Sequence, residues 1–256
     1  PKLFANTHKN TTFTRLIYIK HSFIMKTKHI FTFFVALYSM MTATLTVNAQ
    51  TAFGEQQLIE YSETNDPTDV HAADLDGDGD MDILSASVSD GKIAWYANDG
   101  SGNFGEQQII TIDAIYAVSV YTADLDNDGD IDVLSASTDD DKIAWYENDG
   151  SGHFGVQQVI TTTANGARSV YAADLDNDGD IDVLSASEYD DKIAWYQNDG
   201  SGNFGIQQTI TITAVGAYSV YAADLDNDGD MDILSASAFD NKIAWYENDG
   251  SGNFGT

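Results

Sequence analysis

Asp174-Leu-Asp-Asn-Asp-Gly-Asp-Ile-Asp182 places five carboxylates in nine residues, and the same loop occurs three more times at a spacing of 50 residues. The other copies begin at Asp74, Asp124 and Asp224. Gly77 replaces the asparagine in the first, and Met81 and Met231 stand at the isoleucine position of the first and last. Five like charges so close together repel one another in any compact backbone unless a hard, oxygen-seeking cation gathers them. The four loops therefore read as repeated calcium sites, with the metal forming part of the fold.

In a loop of EF-hand-like spacing, positions 1, 3 and 5 coordinate through side chains, position 6 is a turn glycine and position 7 offers its backbone carbonyl. Position 1 is filled by Asp74, Asp124, Asp174 and Asp224, and position 3 by Asp76, Asp126, Asp176 and Asp226. Asp78, Asp128, Asp178 and Asp228 hold position 5, while Asp80, Asp130, Asp180 and Asp230 supply the carbonyl at position 7. A true EF-hand takes its last ligand from a glutamate at position 12, which is Ser185 here, inside a predicted strand. Magnesium is the competing ion, but its demand for tight octahedral geometry suits a flexible set of six or seven oxygens less well than calcium does. Leu175 and Ile181 alternate with the acids and are expected to point into the core.

Around each loop the 50-residue unit repeats Ser-Val-Tyr-Ala-Ala, Leu-Ser-Ala-Ser, Lys-Ile-Ala-Trp-Tyr, Asn-Asp-Gly-Ser-Gly-Asn-Phe-Gly and Gln-Gln-x-Ile, with small variations. Each unit reads as four short strands, in the third copy Ser169 to Ala173, Ile181 to Ser187, Lys192 to Gln197 and Gln207 to Ile212, separated by Gly- and Asp-rich turns. Four antiparallel strands per unit, with recurring aromatic and glycine landmarks, predict an all-β chain of β-propeller blades. A kelch array shares the period but calls for a Gly-Gly doublet, and WD-type repeats lack their dipeptide here.

The acidic loops together with Asn-Asp-Gly-Ser-Gly-Asn-Phe-Gly resemble the FG-GAP/VCBS repeat family, related to the amino-terminal propeller of integrin α subunits, over residues 51 to 256. The resemblance implies a calcium-stabilised propeller, commonly of seven blades, on secreted or surface proteins that adhere to proteins or glycans. It also implies an acidic ligand at position 9, namely Asp82, Asp132, Asp182 and Asp232, in place of the missing glutamate. Only four units are visible. The globular part opens on Phe53-Gly-Glu-Gln-Gln-Leu-Ile-Glu60, a fourth-strand sequence, and stops at Phe254-Gly255-Thr256, where the last unit would begin its own fourth strand. Either that opening strand closes a four-bladed ring, or the chain is a fragment of a larger propeller; the fragment is the expected case.

The first 49 residues carry six Lys and Arg and no acid, so the remainder sets five basic residues against 41 acidic ones, a net charge of −36. Such a surface excludes nucleic acid and anionic lipid as partners, since both are bound by neutralising phosphates. There is no cysteine, which removes disulfides, thiolate metal sites and a cysteine nucleophile. Met25-Lys-Thr-Lys-His29, the apolar run from Ile30 to Met41 and Val47-Asn48-Ala49 form the three zones of a secretory signal peptide, cleaved after Ala49. Residues 1–24 precede the start methionine and read as upstream sequence, leaving residues 50–256 as the propeller. No apolar run beyond residue 50 is long enough to span a bilayer.

Gly100-Ser-Gly-Asn-Phe-Gly105 matches the dinucleotide pattern G-x-G-x-x-G, but β-prone residues follow where a helix is required, so the glycines are expected to form a hairpin turn with Phe104 tucked between blades. Trp95, Trp145, Trp195 and Trp245 recur at one register and are expected to pack between blades; an aromatic ladder for sugar rings is the other reading. Catalysis needs a unique constellation, and neither His71 nor His153 has a sequence partner for acid–base work, so no enzyme is expected here. Ligand specificity is expected where the repeats differ, at Tyr116, Arg168, Tyr189, Tyr218 and Phe239. The function expected is a non-catalytic adhesion or recognition module, secreted or on the cell surface, with an extracellular protein or glycan as partner. The alternatives are a lectin-like carbohydrate-binding module and an accessory domain of a larger polysaccharide-active enzyme.

Overall fold

The structure is a computed structural model and describes residues 56–59 and 64–255. The leader and upstream segment expected over residues 1–49 lie outside the described residues. Fifteen strands form among them and no helix does. The first blade contains β1 (Pro67–Ala73), β2 (Asp82–Ser87), β3 (Lys92–Tyr96) and β4 (Gln108–Thr111), and the second β5 (Ala117–Ala123), β6 (Asp132–Ser137), β7 (Lys142–Tyr146) and β8 (Gln158–Thr161). The third contains β9 (Ala167–Ala173), β10 (Asp182–Ser187), β11 (Lys192–Tyr196) and β12 (Gln208–Thr211), and the fourth β13 (Ala217–Ala223), β14 (Asp232–Ser237) and β15 (Lys242–Tyr246). Each sheet is an antiparallel meander in chain order, and the fourth has three strands among the described residues.

The strands form where alternating apolar and small residues serve two buried faces. Leu184 pairs with Tyr171 on one side and Trp195 on the other. Each blade is thereby two-faced, and successive blades pack face to face. Leu75, Leu84, Ile93 and Trp95 of the first blade pack against Val120, Val133 and Tyr146 of the second. The second blade packs on the third, and the third on the fourth, through the equivalent residues. Inner strands β1, β5, β9 and β13 lie side by side.

The tryptophans sit where interblade packing requires. Trp95, Trp145 and Trp195 are 3% exposed and meet Phe154, Phe204 and Phe254 of the next blade edge-on, with ring centroids 6.3–6.5 Å apart. The hairpin glycines allow this contact: a Cβ on Gly202, whose φ is +69°, would come within 2.4 Å of the Trp145 ring. The fourth blade departs from the pattern. Trp245 is 49% exposed, and Leu225, equivalent to fully buried Leu175, is exposed too. Leu175 points inward as expected, but its counterpart in the last copy, Leu225, is exposed, and among the described residues no blade covers it. Met81, too, is exposed where the loop pattern called for an inward side chain.

Candidate functional site

Each acidic loop links the inner strand of a blade to its second strand, so all four loops lie at one end of the sheets. Asp182 anchors its loop. Its carboxylate is fully buried and accepts from the Leu175 amide (2.9 Å) and the Asn198 amide (2.8 Å), tying both ends of the loop to the turn after β11. Asp82, Asp132 and Asp232 do the same in their blades. Burial pushes the Asp132 and Asp182 carboxyls up to about 7, against the downward pull of those backbone amides.

Positions 1 and 3 are arranged differently. Asp174 accepts from the Gly179 amide (3.1 Å) through Oδ2, whereas its Oδ1 is buried without a hydrogen-bond partner, as is Asp176 Oδ1. The second loop repeats this at Asp124 and Asp126, and the first at Asp74. Burial, with the neighbouring carboxylates adding to it, raises the Asp76, Asp126, Asp176 and Asp226 carboxyls above their ordinary value. Ligand oxygens converge within 4.8 Å in all four loops: Asp124, Asp126 and Asp132, and Asp174, Asp176 and Asp182, in the middle two; Asp74, Asp76 and Asp78, and Asp224, Asp226 and Asp228, in the outer two. Buried carboxylate oxygens without donors are costly unless a cation satisfies them. An all-oxygen set of carboxylates fits a hard divalent ion.

At position 5, Asp78, Asp128, Asp178 and Asp228 accept from the amide two residues on, at 2.9–3.0 Å, and this shapes the turn. In the last two loops the side chain at position 7 turns toward the neighbouring blade. Asp180 Oδ1 accepts from Asn127 Nδ2 (2.7 Å), and Asp230 Oδ1 from Asn177 Nδ2 (2.6 Å). Position 4 has a role that the spacing alone did not assign. Asn127, Asn177 and Asn227 have φ between +58° and +66°, the left-handed region that asparagine tolerates and glycine favours, which accounts for Gly77 as their counterpart.

Asn198, which reads as an ordinary turn residue, is also a peg between blades. Its Nδ2 donates to Leu125 O of the preceding blade (2.7 Å) and to Ile181 O of its own (2.9 Å). Asn148 and Asn248 repeat both bonds. The signal for this was the asparagine's recurrence in every unit, but its partner lies 73 residues away in the chain.

The variable residues gather at the opposite end of the blades, where the inner strand begins and the second strand ends. Arg168 Nε donates to Glu188 Oε2, and its guanidinium lies 5.3 Å from the Tyr218 ring centroid. Tyr189 packs over Gly166 and Phe239 over Gly216, where a Cβ would collide with the ring. Tyr116 stands in the second blade where Gly166 and Gly216 stand in the next two, with φ of 62°. All four aromatics are exposed. The inner strands carry a further aromatic row that the sequence reading did not identify. His71, Tyr121, Tyr171 and Tyr221 stack with centroids 4.5–4.8 Å apart.

Four-stranded meanders stacked face to face at a 50-residue period define a β-propeller architecture. The FG-GAP-like repeat model matches residues 84–135, 124–185 and 174–235, which together make up more than half of the chain. The chain belongs to the FG-GAP repeat family. A lectin from Agrocybe aegerita, solved for its recognition of non-reducing terminal N-acetylglucosamine, is similar at 24% identity and a TM-score of 0.55, over 72% of this chain and 50% of that one. BBS1N, solved in complex with ARL6DN, is similar at 13% identity and a TM-score of 0.52, over 75% of this chain and 57% of that one. The chain thus spans about half the length of each. No curated protein sequence is significantly similar to it. Among the described residues, no helix is long and apolar enough to cross a membrane.

Proposed function

We propose that the chain is a calcium-stapled recognition module of a secreted or cell-surface protein, binding an extracellular protein or glycan without catalysing a reaction. The observation that carries the metal reading is the set of buried, donorless oxygens on Asp74, Asp124, Asp126, Asp174 and Asp176, directed into carboxylate clusters at one end of the blades. In each loop the carboxylates at positions 1, 3, 5 and 9 and the carbonyl at position 7 would hold the ion. Calcium would neutralise charges that otherwise repel. The ion's role is structural, because each loop is a copy of the others and none carries a separate acid, base or nucleophile.

Recognition is assigned to the other end, where Arg168, Tyr189, Tyr218 and Phe239 present aromatic faces and a guanidinium on a rigid scaffold. The lectin's fold supports a glycan as one class of ligand. Calorimetric titration of calcium into chelator-treated protein, with thermal unfolding of the same samples, tests the metal reading. About four sites and a melting temperature that rises with calcium are expected, since ligand at a thousandfold over its dissociation constant adds roughly 4 kcal/mol per site. A folded protein that takes up no calcium refutes it. For the recognition surface, a Tyr218→Ala, Phe239→Ala double variant is expected to lose retention on immobilised glycans or extracellular protein while keeping its calcium stoichiometry; unchanged retention refutes that assignment.

A further inference from the structure

Among the described residues, Tyr121, Tyr171 and Tyr221 are the only tyrosines whose rings meet one another. Their centroids lie 4.5 and 4.7 Å apart at interplanar angles of 38° and 52°, and His71 continues the row at 4.8 Å from Tyr121. Tyr121 and Tyr171 are half-buried and Tyr221 is exposed, so a small oxidant can reach the row. By contrast, Tyr96, Tyr146 and Tyr196 are sealed in the core, their hydroxyls accepting from Gln107, Gln157 and Gln207, and Tyr116, Tyr189 and Tyr218 stand apart on the surface.

The register of the inner strands builds this row. One residue ahead of each tyrosine, the Val120 amide donates to Asp69 Oδ2 (2.9 Å), the Val170 amide to Ser119 Oγ (3.4 Å) and the Val220 amide to Ser169 Oγ (3.3 Å), each bond crossing from one blade to the next. Within their own sheets Tyr121, Tyr171 and Tyr221 pair with Leu134, Leu184 and Leu234. The backbone therefore fixes each ring beside its neighbour. Burial, with the adjacent phenols adding to it, pushes the Tyr171 hydroxyl up, so the ring is a neutral phenol at physiological pH.

We propose that this row is a site of oxidative cross-linking, at which a one-electron oxidant of the peroxidase or metal-complex class joins Tyr171 to Tyr121 or to Tyr221 as dityrosine. Each phenol gives up one electron and its hydroxyl proton to become a phenoxyl radical, and the two radicals form a carbon–carbon bond between ring carbons ortho to oxygen. Those carbons then release their hydrogens as protons while each oxygen takes one back. The pair thus loses two electrons and two protons in all, which hydrogen peroxide takes up to become two waters. With centroids this close the facing ring edges are already in van der Waals contact, so coupling needs only a small ring rotation. Coupling between chains is opposed by the net charge of −30 on each. The bond would join neighbouring blades one 50-residue repeat apart, in a chain with no cysteine for a disulfide. The reaction draws on neither the acidic loops nor the recognition end.

Photo-oxidation of the dilute full chain with tris(bipyridyl)ruthenium and persulfate, which takes up the electrons and becomes sulfate, tests this. Most of the dityrosine fluorescence is expected in the monomer band of a denaturing gel, with the monomer lighter by two hydrogens and digestion yielding Tyr171 linked to Tyr121 or Tyr221. The linked monomer is expected to melt roughly 5–10 °C above the untreated chain, since the bond closes a long loop as a disulfide does. Tyr171→Phe keeps the ring and removes the hydroxyl, and is expected to lower monomer dityrosine roughly tenfold or more at an unchanged melting temperature. His71→Tyr is expected to add a linked pair between position 71 and Tyr121. Dityrosine that is absent from the folded chain, that maps mainly between chains or to tyrosines outside the row, or that is undiminished in Tyr171→Phe overturns the proposal. The same linked pairs in denaturant also overturn it, because proximity in the fold would then not be their cause.

Discussion

Replacing Asn198 with alanine removes the side chain that joins the second blade to the third, and its cost can be worked out bond by bond. Nδ2 donates to Leu125 O at 2.7 Å in a buried contact and to Ile181 O at 2.9 Å in a partly buried one. Alanine leaves both carbonyls without that donor, and a buried unsatisfied group costs about 1–3 kcal/mol. With the second contact partly wet, the sum is roughly 2–4 kcal/mol. For a unit of this size each kcal/mol moves the melting temperature by about 2–4 °C, so a fall of roughly 4–16 °C is expected. Asn98→Ala is the internal control, because Asn98 holds the same place in its turn, ahead of Asp-Gly-Ser-Gly, but its Nδ2 bond to Met81 O is solvent-exposed; its cost is below about 1 kcal/mol, hence at most about 4 °C. Circular dichroism melting of both variants, dilute and in saturating calcium, measures the difference. Equal shifts would refute the reasoning, since they would mean that the bond across the blade boundary contributes nothing.

Gly202→Ala should destabilise more than Gly102→Ala: both pay about 1–2 kcal/mol for a side chain at positive φ, but only at Gly202 would the Cβ strike a tryptophan, at 2.4 Å, adding about 1–3 kcal/mol by overpacking. Melting curves of the two single variants test this. Chelator-treated protein should lose stability as the pH rises from about 4 to 7, because the folded-state values near 7 for Asp132 and Asp182 lie above the ordinary carboxyl value of 3.8, so the stabilising protonated form is complete below the lower value and lost through the upper. Calcium, which favours the ionised form, should flatten or reverse that slope, and melting temperature against pH with and without calcium shows whether it does. At pH 8, Asp176→Asn should raise the melting temperature of the calcium-depleted protein by relieving repulsion while removing one site from the calorimetric stoichiometry; Asp182→Asn should lower stability under both conditions, because an amide cannot accept from both the Leu175 and Asn198 amides.

Much of the fold was legible because each decision is written four times. The strand predicted from Ile181 to Ser187 forms from Asp182, and that predicted from Lys192 to Gln197 ends at Tyr196. Ile181 and Gln197 fall outside the strands because their carbonyls accept from the Asn198 side chain and the Gly205 amide, in the turn after β11, rather than from a ladder partner. Repetition also misleads. Identical residues predict identical environments, yet Trp195 is buried and Trp245 is not, since burial belongs to the neighbour as much as to the residue. The role of Asn198 was hidden for a related reason. A turn asparagine satisfying local amides and one reaching Leu125 O in another blade are spelled the same way, and nothing local distinguishes them.

The acidic loop was read as one set of ligands, but the structure divides its work. Position 9 accepts from two backbone amides and welds the loop to its blade while remaining in the carboxylate cluster of the middle two loops, positions 1 and 3 hold the oxygens without donors, and in the last two loops position 7 turns its side chain to the adjoining blade. There Asn127 holds Asp180, and Asn177 holds Asp230, each asparagine also donating to the turn carbonyl at Gly200 or Gly250. A change in one loop is therefore felt at the next through a residue that sits between two of the proposed ligands at positions 5 and 9. Gly77 breaks the series, since it offers no side chain to Asp130. Loops two, three and four are thus joined edge to edge by these asparagines, while the first is tied to the second through Asn148, which donates to Leu75 O and Ile131 O, so the four copies of one sequence are not four independent sites.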